Sequence, residues 1–401
     1  MKSIELKDSA VIKIKKTEFE LKEDDFNNLS KGFIPGEWVL IENKKNNICS
    51  VGYINLFSTS PYKIKVLNAV DNSKGFFHQA GIEEIILRSL IEKALHRRKD
   101  FKVLEHGFRL IHGGQDNLPG LIIDVFLNAI IVQINTAGID RYREAIKNSL
   151  ETLMPGREIC FLDNEAYRKH EQLPNFENQK LPQVIKVKEN DFDYEITSES
   201  FQKIGFYYDH RMNRRKLENT LKEFNQTYAT GVDLFSYVGS WGLHMLRAGV
   251  KHVTFVDQGD MGTAINRHVE INGFKERGYF VRSDVFKYLD QALETETFFD
   301  VIVSDPPAFT KSEKNKSNAI VGYEKLHQKC LRVLNPGGLF VAASCTHYVS
   351  HEELDKTVQV AAARTNTKLQ LLDLGVQSPD HPVQSLSDKG TYIKYILYKR
   401  V

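Results

Sequence analysis

Carboxylates stand at regular intervals in the second half of the chain, each at the end of a short apolar run. They are Asp233, Asp257, Asp284 and Asp305. In an open sheet of parallel strands, ligands bind beyond the carboxyl ends of the strands. One aspartate in such a place is more often a helix cap or a loop residue. Four in succession instead predict a ligand site lined with carboxylates.

The turn D-L-F-S-Y-V-G-S-W-G limits which ligand this site could hold. Gly239 and Gly242 allow the backbone to approach a ligand, but the turn lacks the G-x-G-x-x-G spacing that binds a pyrophosphate. An NAD-linked oxidoreductase is therefore disfavoured. Asp257 follows the turn by about 20 residues, where a carboxylate accepts hydrogen bonds from ribose hydroxyls. A site that could bind adenosine but not a pyrophosphate predicts S-adenosylmethionine as the ligand. Asp284 would then face the adenine amino group.

The fourth run ends in S-D-P-P-A-F, which could hold a nucleic-acid base. Pro306 and Pro307 fix the backbone as it leaves the strand, although such a segment also occurs as a plain strand-stopping loop. The Asp305 carboxylate and the Phe309 ring could grip a planar base by hydrogen bonding and stacking. The segment predicts substrate binding by all four residues.

Cys345 ends a fifth apolar run and is expected to share the rim of the pocket with Asp305. Carbon 5 of cytosine is a poor nucleophile, so a thiolate must first add to carbon 6 before that carbon can take a methyl group. Asp305 would protonate or hydrogen-bond N3 as a general acid. Alternatively, the target is an exocyclic amine of guanine or adenine; Asp305 would then bind the amine and Cys345 would be a bystander.

The segment S-E-S-F-Q-K-I-G-F-Y-Y-D-H-R-M-N-R-R-K-L precedes the first of these strands and allows two interpretations. One is a helix start with a basic surface. The other is a lid over the methionine end of the cofactor, in which Arg211, Arg214 and Arg215 lie near a phosphate backbone. The sequence alone does not separate them.

The elements that would position these residues form three groups. From Tyr228 onwards strands and helices alternate, which predicts an α/β, Rossmann-like domain over residues 196–401. Short strands with polar turns predict a small β domain over residues 1–75. A helix from Gly81 to Arg98, followed by strands and another helix, predicts a central α+β domain over residues 76–195.

Composition excludes several classes of protein. Apolar residues make up 41% of the 401 residues and charged residues 26%, and the formal net charge is +2, which neither requires nor excludes nucleic acid. No apolar run is long enough to span a membrane and the first residues resemble no secretory signal, so we expect a cytoplasmic protein. Four cysteines without a C-x-x-C pair predict neither disulfides nor a metal site, and Cys49, Cys160 and Cys330 are expected to fill cores.

Several motifs together resemble one family, the RlmI-like class I methyltransferases. They are G-F-Y-Y-D-H-R-M-N-R, D-L-F-S-Y-V-G-S-W-G, S-D-P-P-A-F-T-K-S, G-Y-E-K-L-H-Q-K-C-L-R-V-L-N-P-G-G and S-C-T-H. Members join a PUA domain, a central α+β domain and a Rossmann-like domain, and methylate cytosine carbon 5 in 23S ribosomal RNA. The resemblance runs from about residue 80 to the end. It implies S-adenosylmethionine as cofactor, 23S ribosomal RNA as partner, and a homodimer.

The resemblance also implies roles for individual residues. Cys345 would be the nucleophile, assisted by Asp305. The cofactor pocket and its entrance would comprise Phe206, Asp209, Arg211, Asp233, Phe235, Gly239, Asp257, Asp284 and Asp305. A non-catalytic RNA-binding protein built on the same fold would be expected to have lost one of the acidic ligands, and none is lost here.

Overall fold

The computed structural model of the protein describes residues 1–16, 18–67, 80–101, 106–201, 205–310, 312–386, 388 and 390–401. Its chain divides into two compact units, Met1–Ile185 with Asp380–Pro382, and Lys186–Pro379 with Val383–Val401. The boundary expected between residues 75 and 76 lies outside the described residues. The division into residues 1–75, 76–195 and 196–401 stays a prediction.

The first unit begins with a mixed sheet, which in the described residues has six strands in the order β2-β6-β5-β4-β1-β3. β1 and β4 pair in parallel, and the other neighbours are antiparallel. The strands are β1 (Lys2–Leu6), β2 (Glu20–Leu21), β3 (Phe26–Asn27), β4 (Glu37–Asn43), β5 (Ile48–Ile54) and β6 (Ile64–Leu67). The helices are α1 (Val11–Lys15) and the 3-10 turns Asp8–Ala10 and Glu23–Asp25.

A second sheet follows in the same unit, with the order β10-β9-β8-β7 in the described residues. The helix predicted from Gly81 is confirmed as α2 (Ile82–Lys99). The remaining elements are β7 (Phe108–His112), the 3-10 turn Gly113–Asp116, β8 (Leu121–Val125), β9 (Ala129–Ile134), α3 (Ala137–Asp140), α4 (Arg143–Leu153), β10 (Glu158–Phe161) and α5 (Glu165–His170). Trp38 and Val51 of the first sheet share one apolar core with Leu87 and Leu110, which explains why both sheets fall in one unit.

Beside this core lies a buried ionic cluster centred on Asp116. Arg98 is 1% exposed and donates two hydrogen bonds to the Asp116 carboxylate, of 2.6 and 2.7 Å. It also donates to the carbonyls of Arg109 and Asp380. The Asp116 carboxylate further accepts from the His112 amide at 2.7 Å. Because these charged groups are out of water, each depends on its partners for solvation.

The second unit is built on a sheet with the strand order β15-β14-β13-β16-β17-β19-β18 in the described residues. Of these seven strands, β19 alone runs opposite to the others. This order and the alternating helices confirm the predicted α/β, Rossmann-like class. None of the described helices is both long and apolar enough to cross a membrane.

The elements of this unit alternate as the sequence predicts. A two-stranded sheet of β11 (Val184–Glu189) and β12 (Phe192–Thr197) comes first, and then the 3-10 turn Tyr208–His210 and α6 (Arg211–Glu223). The strands are β13 (Thr230–Leu234), β14 (His252–Asp257), β15 (Gly278–Arg282), β16 (Phe299–Ser304), β17 (Leu334–Ser344), β18 (Leu369–Gly375) and β19 (Lys394–Arg400). The helices are α7 (Ser240–Arg247), α8 (Gly262–Ile271), α9 (Val285–Glu294), α10 (Lys316–Arg332) and α11 (His351–Arg364), with the 3-10 turn Glu313–Asn315.

The register of the sheet decides which loops meet at its edge. β16 and β17 are parallel neighbours in which Ser304 pairs with Ala342, so the residues after both strands leave at the same edge. β19 is antiparallel to β17, and Lys394 pairs with Ser344. The first residue of β19 therefore lies at the same edge as the last residues of β16 and β17.

Candidate active site

The turn between β13 and α7 has an unusual backbone. Phe235, Tyr237 and Gly239 all have left-handed φ angles, of 61°, 46° and 83°. Gly239 is also the N-cap residue of α7, and a Cβ atom there would meet the Phe255 ring at 3.0 Å. Non-glycine residues rarely adopt this conformation, and when they do the strain is often held in place at ligand sites. The turn is thus a rigid feature at the carboxyl end of β13.

Asp233, in β13, anchors the chain that follows this turn by a hydrogen bond. It is fully buried, and its Oδ2 atom accepts a hydrogen bond of 2.8 Å from the Gly242 amide. Burial raises the pKa of Asp233 well above its usual range, and the negative charges of Asp305 and Asp257 raise it further. The three carboxyl groups are close enough to act on one another, and the raised pKa favours the neutral acid at Asp233.

The other two strand-end aspartates make different contacts. The Asp257 oxygens accept hydrogen bonds from the Tyr237 amide at 2.9 Å and the Gly259 amide at 2.7 Å, which fixes the carboxylate beside the turn. Asp284 accepts from the Lys287 amide at 3.1 Å and caps the N-terminus of α9. At Asp284 the structure thus gives a helix cap, and its contact with adenine stays a prediction.

Asp305 follows β16 and has two side chains from elsewhere in the second unit beside it, of which one makes a hydrogen bond to it. The Trp241 indole N–H donates to its Oδ2 atom at 3.0 Å, and His210 Nε2 lies 3.6 Å from its Oδ1 atom. Trp241 in turn stacks on Tyr395 with an interplanar angle of 6°. Trp241 lies in the motif D-L-F-S-Y-V-G-S-W-G and His210 in G-F-Y-Y-D-H-R-M-N-R, yet only three-dimensional packing shows that both lie beside Asp305.

Cys345 lies directly beside residues 305–309, which follow β16 and are called the aspartate loop below. Its partly exposed thiol is 3.9 Å from the Pro306 carbonyl oxygen. The residues on either side are fixed, because the Tyr323 hydroxyl lies within hydrogen-bonding distance of Ser344 Oγ at 2.8 Å and of Thr346 Oγ1 at 2.9 Å. The structure thus brings Cys345 to the aspartate loop, whereas Cys49, Cys160 and Cys330 are buried elsewhere.

The aspartate loop differs from the expectation at Phe309. Pro306 is buried and Pro307 is exposed, so the loop does present a rigid surface. The Phe309 ring, however, lies 4.6 Å from the Tyr323 ring and packs against the core under α10. A ring that is half-buried in this way has one face already covered. The structure thus gives Phe309 a packing role on one face, and its stacking on a base stays a prediction.

Two residues expected at the pocket entrance are interior. Phe206 is 2% exposed and packs between Tyr194 and Tyr208, with ring centroids 4.8 and 4.9 Å away. Arg211 is 3% exposed, and its guanidinium lies 4.8 Å from the Tyr208 ring centroid. Aromatic packing encloses both side chains, and their part in holding the cofactor stays a prediction.

The basic residues of α6 also differ from the expectation of a phosphate-binding surface. Arg214 is 1% exposed and pairs with the buried Glu189 at 3.3 Å, so it and Arg211 are unavailable to a phosphate. Arg215 alone of the three is exposed. Asp209 is buried and accepts a hydrogen bond of 2.8 Å from the Tyr392 hydroxyl. These groups hold the segment onto the sheet.

The site offers buried polar atoms and carboxyl groups that fit a positively charged adenosine cofactor. In the described residues, three buried polar atoms around the turn have no hydrogen-bond partner, namely Asp233 Oδ1, Ser236 Oγ and His210 Nε2. Buried groups of this kind usually have a partner, often a bound molecule. Asp257 supplies the carboxylate that would hold ribose hydroxyls. The described residues include no cluster of three or more His, Cys, Asp or Glu side chains that could hold a metal ion.

Comparison with known proteins supplies relatives over most of the chain. No protein-family model matches it. The chain is 33% identical over 331 residues to ribosomal RNA large subunit methyltransferase I of Pseudoalteromonas translucida, which covers 79% of this chain and 82% of that protein. It is 32% identical over 300 residues to the protein of the same name from Aeromonas salmonicida, covering 73% and 74%.

Two solved structures share the whole fold. One is assigned as a SAM-dependent methyltransferase from Streptococcus mutans, with a TM-score of 0.75 and 19% identity. The other is assigned as a methyltransferase and was solved in complex with SAH, with a TM-score of 0.76 and 18% identity. Both matches cover 100% of each chain. At these identities the two likenesses show that the fold is shared, that is, the arrangement of strands and helices.

Proposed function

This chain belongs to the ribosomal RNA large subunit methyltransferase I family, and from that membership we propose that it methylates carbon 5 of a cytosine in 23S ribosomal RNA with S-adenosylmethionine as methyl donor. The observation that carries the choice of atom is the Cys345 thiol, 3.9 Å from the Pro306 carbonyl and beside Asp305. A cytoplasmic location and a homodimer stay predictions.

The proposed chemistry begins at the Cys345 thiolate. Its sulfur forms a bond to carbon 6 of cytosine, and the electron pair of the 5,6 double bond moves into the ring, where carbon 5 becomes nucleophilic. Asp305 hydrogen-bonds or protonates N3, which relieves the charge that builds up in the ring. Bound S-adenosylmethionine supplies an electrophilic methyl group. Loss of the carbon 5 proton to a base then breaks the bond from sulfur to carbon 6 and regenerates the thiolate.

The surroundings of Asp305 support this role. A group that acts on N3 must stay in one place while the base is bound, and the hydrogen bond from Trp241 orients the carboxylate. His210, 3.6 Å from the other oxygen, limits its movement on that side. An exocyclic amine would require no nucleophile, so an ordered cysteine at the rim favours the ring carbon.

A trapping experiment tests the proposal. Fragments of 23S ribosomal RNA transcribed with 5-fluorocytidine would be incubated with the protein and S-adenosylmethionine. Fluorine at carbon 5 cannot leave as a proton, so the adduct should persist through denaturing electrophoresis. We expect a protein–RNA adduct whose cross-linked peptide contains Cys345. The matched control C160A removes a buried cysteine from the first unit and should form the adduct like wild type.

Nucleoside analysis of unmodified RNA completes the test. The proposal expects 5-methylcytidine in the product. Formation of N2-methylguanosine or N6-methyladenosine without a trapped adduct would instead establish the exocyclic-amine alternative, with Asp305 as the amine-binding group. Tight RNA binding without any methyl transfer would establish the non-catalytic alternative.

Trp241 provides a separate prediction. W241F keeps an aromatic ring against Tyr395 but removes the N–H group that donates to Asp305. A hydrogen bond to a charged group contributes about 1.5–3 kcal/mol, so we expect kcat to fall roughly tenfold to a hundredfold. Single-turnover methyl transfer would measure this. An unchanged kcat would mean that the indole N–H does not orient Asp305 in the reaction.

A further inference from the structure

Lys394 lies buried beneath the loop that carries the cysteine. It is the first residue of β19 and is 2% exposed. Its ammonium group donates hydrogen bonds to the carbonyls of Thr346 and Tyr392, the second at 3.1 Å. Thr346 directly follows Cys345 in the chain. Lys394 therefore holds the backbone next to the thiol from the interior side.

In the part of the chain that the structure describes, no acidic side chain forms an ion pair with the buried ammonium group of Lys394. A buried ammonium without an anion is costly, and proteins seldom keep one that serves packing alone. Burial lowers the pKa of Lys394 to about 8, and the negative charges of the Cys345 thiolate and, to a smaller extent, Glu353 oppose that shift. The ammonium form therefore persists at neutral pH close to the thiol.

Three other ionisable side chains near the thiol, Tyr207, Tyr323 and His351, do not supply this positive charge. Asp305 and Cys345 both act on Tyr207 and Tyr323, whose pKa values are raised mainly by burial. On the side of α11, His351 has its pKa lowered by burial and also by the charge of Lys394. A carboxylate beside a thiol disfavours the thiolate. A buried cation is the group that would offset Asp305.

We propose that Lys394 is a positioning residue that fixes the loop of Cys345 through the Thr346 carbonyl and stabilises the Cys345 thiolate by its charge. The inference rests on the proposed function, because the thiolate that Lys394 would stabilise is the form in which Cys345 acts as the nucleophile. Its physical claim concerns the thiol alone and can be measured without RNA or methyl donor. Failure of one proposal can thus be distinguished from failure of the other.

The test is the pH dependence of alkylation of the full chain by iodoacetamide, read at Cys345 by peptide mass spectrometry. The other three cysteines are buried, and burial raises the pKa of Cys160 to about 11 and that of Cys330 to about 12, so they should react slowly. K394Q keeps a hydrogen-bond donor for the Thr346 carbonyl but has no charge. We expect alkylation of K394Q at pH 7 to be roughly tenfold slower, because losing a nearby opposite charge raises the thiol pKa by about one unit.

K394R keeps the positive charge and should restore alkylation to nearly the wild-type rate. A role limited to packing would not produce that contrast between K394Q and K394R. An unchanged thiol pKa in K394Q would overturn the proposal. Should K394Q fail to fold, the wild-type profile decides, because a Cys345 pKa at or above the value of about 8.5 for free cysteine would overturn it equally.

Discussion

C345S is expected to reduce methyl transfer to 23S ribosomal RNA by roughly a thousandfold or more, because removing a covalent nucleophile removes the step on which all later ones depend. The serine hydroxyl has nearly the same size, but at neutral pH it is almost entirely protonated. Affinity for S-adenosylmethionine should not change, because the strand-end residues expected to hold the cofactor follow β13, β14, β15 and β16, and none follows β17. Methyl transfer to RNA and calorimetric binding of the cofactor would be measured on the same preparation.

The control for this prediction is C160A. Cys160 is buried in the first unit, so its replacement tests whether loss of any cysteine lowers activity through the fold. C160A should retain methyl transfer at the wild-type level. Full activity in C345S would contradict the covalent mechanism and would leave Cys345 as a residue of the pocket wall.

The second large effect is on stability. D116N should lower the free energy of unfolding of the first unit by about 3 to 5 kcal/mol, because breaking a buried ion pair leaves an uncompensated charge. Arg98 is 1% exposed and would keep its charge while losing the carboxylate that accepts its two hydrogen bonds. Urea unfolding, with the midpoint and slope fitted together, would measure the loss.

The chain offers a specific optical probe for this measurement. Trp38 and Trp241 are its two tryptophans, and Trp38 lies in the first unit, where its indole N–H donates to the Gly138 carbonyl at 3.0 Å. Comparing D116N with its parent in a W241F background would therefore report the first unit alone. E92Q is the matched control, because the ion pair of Glu92 with Arg88 is exposed and should contribute at most about 0.5 kcal/mol. Equal losses in D116N and E92Q would refute the argument from burial.

The strand ends could be predicted from the sequence because the alternation of strands and helices fixes the edge at which each strand stops. That reasoning correctly identified the α/β class, and it located Asp305 and Cys345 on loops that the structure brings together. It could not distinguish an aspartate that faces a ligand from one that caps a helix. Asp284 shows this limit, since both roles require the same residue type at the same position.

Burial was harder to predict than position. Phe206 and Arg211 lie in a polar, aromatic segment that the sequence allows as a surface lid, yet the rings of Tyr194 and Tyr208 enclose Phe206 and the Tyr208 ring covers Arg211. Lys394 shows the converse. It lies about fifty residues beyond Cys345, outside every motif that points to the site, and antiparallel pairing with β17 is what brings it there.

The place of β19 in the sheet has a consequence for synthesis on the ribosome. β19 lies between β17 and β18 although it follows both in the chain. A nascent chain that has emerged only as far as β18 therefore has no strand to pair with either of them on that side. The loop of Cys345 then lacks the support of Lys394 as well. Translation of β19 thus sets the earliest moment at which the enzyme can become active.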